Sequence, residues 1–129
     1  MDEVISSLMQ RAVCSVRMDD TVAQVEAVLA NQRLSWVPVL EPASGEAIGV
    51  ISAVDILAFH AQGRDASAVQ AWQLCTYKPV AVDVTTPLSR VAQLMLERSV
   101  HHVVVTEQGK LAGVASSLDF VRTFLAASR

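Results

Sequence analysis

Apolar and polar positions change their spacing several times along the chain, and each change marks an element. Val4 to Met9 form a short amphipathic lead, and Val13, Cys14 and Val16 suggest an extended segment that Asp20 and Thr21 bring to a stop. Behind Thr21, the residues Val22, Val25, Val28 and Leu29 recur on one helical face, and Gln24 completes a capping box with Thr21. This predicts a helix ending near Asn31. Trp36 to Leu40 is rich in strand formers, Pro42 to Glu46 carries turn residues around Gly45, and Ala47 to Ile51 returns, so the three together read as a hairpin. Ser52 then opens a helix through Ile56, Leu57 and Phe59 that fades at Gln62, Gly63 and Arg64.

After that the same order begins again. Ala68 to Leu74 reads as a connecting helix, Val80 and Val82 as extended, and Thr86-Pro87 as a cap followed by proline at the first helical position. Leu88, Val91, Leu94 and Met95 continue at helical spacing. A strand at His102 to Thr106, a tight turn at Glu107 to Lys110, a strand at Leu111 to Ala115 and a helix from Ser116 through Phe120 and Phe124 complete the second pass. Laying Thr21 on Pro87 and Gly49 on Gly113 brings nearly every apolar position into agreement. The chain is therefore an internal duplication of a β-α-β-β-α unit with a period of about 65 residues, divided as 1–63 and 64–129. One such unit is too small to bury its own sheet well, so the halves are expected to pack as one α/β (α+β) body.

Composition agrees with a packed fold. Of 129 residues, 52% are hydrophobic and only 5% aromatic, which excludes a disordered chain. Asp55 and Asp119 interrupt the longest apolar runs before they reach the length of a membrane span, and Met1-Asp2-Glu3 offers no basic leader; a cytoplasmic protein is expected. The net charge of −3 comes without a Lys or Arg cluster, leaving little basis for phosphate-backbone binding to nucleic acid. Cys14 and Cys75 are too few for a disulfide framework or a zinc site and read as small buried hydrophobes.

The chemistry concentrates in a heptapeptide written twice, Gly49-Val-Ile-Ser-Ala-Val-Asp55 and Gly113-Val-Ala-Ser-Ser-Leu-Asp119. Each runs from strand into helix. Ser52 with Asp55, and Ser116 with Asp119, have the form of a helix cap in which the hydroxyl accepts from an orphan N–H and the carboxylate complements the positive helix end. The same geometry suits a phosphate or a ribose. His101 and His102 alternate across a strand, so one metal cannot readily take both, and no nucleophile elbow, zinc-hydrolase motif or phosphate loop is present. An enzyme is not expected.

With its two G-x-x-S-x-x-D copies, its Val37-Pro38-Val39 and Val103-Val104-Val105 middle strands and the extended segment before each first helix, the chain resembles the cystathionine-β-synthase-type (CBS) domain, in the tandem pair called a Bateman module. The resemblance runs from about Ser7 to Leu125. It implies two repeats packed sheet against sheet across a pseudo-twofold axis, with two clefts that in many relatives take adenosine-containing ligands, each cleft built by both repeats. The first would join Ser52 and Asp55 to Pro79, Val80, Val100, His101 and His102. The second would join Ser116 and Asp119 to Val13, Cys14, Leu34, Ser35 and Trp36.

On this reading the Asp carboxylates accept from ribose hydroxyls and Pro79, Val80 and Val100 wall the base. His101-His102 stands where nucleotide-binding relatives often carry His-Arg, so phosphate affinity in the first cleft should strengthen at low pH. The second cleft, without a cation and next to Trp36, is expected to bind more weakly or not at all. The implied function is a regulatory module for an AMP, ADP, ATP or other adenosyl ligand that signals to an unidentified partner protein, with no required cofactor and no metal. It is also expected to form a homodimer through its second helices, around Ile56, Phe59, Phe120 and Phe124. The alternative is a dimerisation or protein-docking module whose clefts stay empty.

Overall fold

The computed structural model describes residues 3–11 and 13–128; Met1 and Asp2, read above for the absence of a basic leader, lie outside them. The chain forms two compact units, one of residues 14–79 and one of residues 1–13 with 80–129. In the first, the sheet order is β1 (Val16–Arg17), β2 (Trp36–Leu40), β3 (Ala47–Ser52) and β4 (Thr76–Tyr77), with helices α1 (Val22–Gln32), α2 (Ala53–Ala61) and the single turn α3 (Ala71–Leu74). In the second, the sheet is β5 (Ala81–Asp83), β6 (His102–Glu107) and β7 (Lys110–Ser116), with α4 (Leu88–Arg98) and α5 (Ser117–Ala127). Both sheets join a parallel first pair to an antiparallel hairpin.

The duplication is visible down to backbone irregularities. Both hairpins shift register at the same step, between Val39 and Leu40 and between Val105 and Thr106. Helices α1 and α4 end on left-handed residues at corresponding places, Arg33 at φ 55° and Ser99 at φ 53°. The β6–β7 turn takes positive φ at Gln108 and Gly109, the pair of left-handed residues a two-residue hairpin turn needs.

Each unit has its own core. Val16, Val25, Leu29, Val37, Val39, Ile51 and Ala71 pack in one, and Ile5, Met9, Leu88, Val91, Val103, Val105 and Phe120 in the other. Sequence repeats and compact units differ in where they place the leading segments. Residues 64–79 pack with the first repeat, while residues 1–13 pack with the second.

Several sequence expectations need correction. The connecting helix is one turn at Ala71–Leu74 rather than Ala68 to Leu74, because the carbonyls of Ala66 and Val69 accept from the N–H groups of Ala23 and Val22 in the first turn of α1. Thr86 does not cap α4. Pro87 itself takes the cap position, and no side chain bonds there. Phe124 is exposed as expected, but Phe59 and Phe120 are buried and Ile56 is half-buried; the other exposed apolar residues of α2 and α5 are Val54, Leu57, Leu118, Val121 and Leu125. Cys75 is buried as expected, whereas Cys14 is only half-buried.

Candidate functional site

In residues 14–79 the site is built where β3 feeds α2. Ser52 stays extended at φ −107° and ψ 164° while its Oγ accepts from the Asp55 N–H at 3.2 Å. In return the Ser52 N–H donates to Asp55 Oδ2 at 2.8 Å. The Ala53 N–H donates to the Ser35 carbonyl at 2.8 Å, and Trp36 pairs with Ser52 in the sheet. Ser35 and Trp36 therefore flank this corner. Leu34 packs against the unit's core behind them, and Cys14 and Pro79 are half-buried in the same unit.

The junction of β7 and α5 repeats the construction with a more enclosed carboxylate. Ser116 Oγ accepts from the Asp119 N–H at 3.3 Å, and Asp119 Oδ2 accepts from the Ser116 N–H at 2.9 Å and from Ser116 Oγ at 3.2 Å. Asp119 is only 6% exposed. Its Oδ1 accepts from Gln10 Nε2 at 3.2 Å, and Arg122 Nη1 lies 3.9 Å from it on the exposed side of α5. The Ser117 N–H donates to the His101 carbonyl at 2.9 Å and His102 pairs with Ser116, so both histidines sit beside this corner. Val80 is tied into the same sheet, its carbonyl accepting from the Val104 N–H at 2.9 Å; Val100 packs against the core there, and Val13 is half-buried in this unit.

Burial pushes the pKa of His102 below its ordinary value, the neighbouring His101 adds to the effect, and Asp119 opposes it. His102 is half-buried and His101 exposed, in keeping with their opposite faces. On α2, His60 bonds Glu26 Oε1 at 2.7 Å. Trp72, 41% exposed, points its indole N–H at Gln70 Oε1.

Within each unit, then, the Ser-Asp corner adjoins the middle strand of its own repeat. Gln10 escaped the sequence reading altogether. Its signal lay in the duplication, which sets Gln10 against Val114 where Thr76 stands against Val50.

The two corners and the doubled fold agree with an independent finding, the profile of the CBS domain, which matches residues 5–61 and again residues 71–126. The chain belongs to the CBS domain family. Solved CBS pairs share its fold. The CBS domain pair of protein MJ0100, in complex with 5′-methylthioadenosine and S-adenosyl-L-methionine, superposes with a TM-score of 0.86 at 16% identity, covering 98% of this chain and 99% of that one. CBSX2 in complex with AMP gives 0.86 at 24% identity over 98% and 99% of the two chains. The CBS domain of a bacterial CNNM/CorC family Mg2+ transporter in complex with ATP gives 0.85 at 20% identity over 95% and 87%. No curated protein matches the chain by sequence. Among the described residues no helix is long and apolar enough to cross a membrane.

Proposed function

We propose that this CBS pair is a non-catalytic regulatory module that binds an adenosine-containing ligand of the AMP, ADP or ATP class and signals to a partner protein. The observation that carries the reading is the Asp55 carboxylate, held through Oδ2 by the Ser52 N–H at the start of α2, with no donor to Oδ1 among the described residues of its own unit. A ribose presents two neighbouring hydroxyls, and a carboxylate held at a helix start accepts from both through charge-assisted bonds. The first cleft would join Ser52 and Asp55 to Pro79, Val80, Val100, His101 and His102. The second, weaker one would join Ser116 and Asp119 to Val13, Cys14, Leu34, Ser35 and Trp36. Adenosyl compounds bound by the CBS pairs named above support the ligand class.

A second reading, in which the module serves only to dimerise or dock, draws on a groove of about 460 Å³ between α4 and α5, lined by Met95, Leu96, Phe120, Val121 and Phe124. A second copy of the chain is the occupant we infer, in a cytoplasmic homodimer. Thermal melting against adenosine, AMP, ADP, ATP and S-adenosylmethionine separates the two readings, because a ligand specific for the native state raises the midpoint by mass action. Saturable stabilisation by one of these compounds is expected. A midpoint unmoved by all of them would leave only the docking role.

A further inference from the structure

We propose that Gln10 makes the two Ser-Asp corners unequal, by holding the oxygen of Asp119 that a ribose would need. The inference rests on the ligand class proposed above and concerns which corner accepts it. An ionised carboxylate offers about four lone-pair positions. At Asp119, three are taken by the Ser116 N–H, Ser116 Oγ and Gln10 Nε2, and Arg122 Nη1 stands 3.9 Å from Oδ1. At Asp55, the donor among the described residues of its unit is the Ser52 N–H. Among the described residues of its own unit, Asp55 keeps room for two adjacent hydroxyls. On Asp119 they find it only after the Gln10 amide swings away.

The backbone explains why Gln10 reaches this carboxylate and its counterpart does not. The Gln10 N–H donates to the Val114 carbonyl at 2.8 Å and the Val114 N–H returns a bond at 3.0 Å, which places Gln10 two residues short of Ser116 along β7. Gly113 permits the approach, since a Cβ there would lie 2.8 Å from the Gln10 carbonyl oxygen. In the other repeat Gly49 does the same for Thr76, at 2.6 Å, and Thr76 pairs with Val50. Threonine has no side-chain amide to offer Asp55, and its hydroxyl is shorter in reach than the glutamine head group. The Gln10 side chain is exposed apart from this contact, so it can leave without disturbing the core, and its replacement keeps both backbone bonds.

Calorimetric titration with adenosine, on the wild type and on Q10A, Q10T, T76Q, D55N and D119N, tests the proposal. Expected for the wild type is one equivalent that D55N removes. Q10A and Q10T should bind at the second corner about tenfold more tightly, the worth of one charge-assisted bond no longer in competition, and adding D119N should abolish the gain. T76Q should weaken the first corner. Unchanged binding in Q10A and Q10T beside a binding wild type would overturn the role of Gln10 and leave the ligand class standing. Absence of adenosine binding in every variant would overturn both.

Discussion

Asp55 and Asp119 occupy the same position of the same motif, and their difference lies in the donors around them. The Ser-Asp corners were legible in the sequence because a capping box is local: residue types three apart suffice to place the hydroxyl and the carboxylate on each other's backbone N–H. The Gln10 contact was not, since it spans 109 positions and depends on strand register. Thr86 failed as a cap for a local reason, the proline behind it filling the cap position. The histidines adjoin the Asp119 corner of their own unit, and their environment was not legible. Burial and His101 lower the His102 pKa, so the folded protein binds fewer protons than the unfolded chain below about pH 6.5. Stability from this group is present above that pH and is lost as the pH falls toward the depressed folded value. Urea denaturation midpoints measured from pH 7.5 to 5 should therefore fall with pH, and H102N should fall less steeply. Parallel curves would remove His102 from the account.

Among the elements, those with sustained spacing were read nearly to the residue: α1 from its Thr21 cap, the β2–β3 hairpin, α2 and α5. Those that exist by pairing alone were missed. β4 has two residues and no pattern of its own; it is held by its register on β3. The shortened α3 reflects competition for carbonyls, because the orphan N–H groups at the start of α1 take those of Ala66 and Val69. Helix α4 is served in the same way by the Glu3 carbonyl, which accepts from the Leu88 N–H at 2.8 Å. Close backbone approach makes Gly49 and Gly113 structural. A Cβ at either would fall within 3 Å of a carbonyl oxygen and of a sulfur, Cys75 Sγ at Gly49 and Met9 Sδ at Gly113. G49A and G113A should each lose about 1–3 kcal/mol, the usual cost of overpacking. G63A, at φ +69° with nothing within 4 Å, should lose only the roughly 1 kcal/mol of a left-handed alanine. Equal losses in all three, measured by chemical denaturation, would mean that the strand contacts are not what these glycines protect.

For the whole molecule, the duplication was legible from the repeat of apolar positions, and the CBS profile covers both copies. What chain order conceals is the exchange of leading segments. Ile5 is fully buried and Met9 nearly so, both in the core of the second repeat's unit, while residues 64–79 serve the first. A segment's partner is decided by which glycine-bearing strand it can approach, and that information is not contained in the segment itself. The proposed function requires more, namely that one repeat's carboxylate corner and the other's strands grip a single ligand. An amide NMR titration with AMP tests this most directly. The account predicts that the resonances of Ser52 and Asp55 and those of Val80, Val100, His101 and His102 shift together and saturate at one common concentration. Shifts confined to a single repeat, or none at saturating AMP, would contradict it.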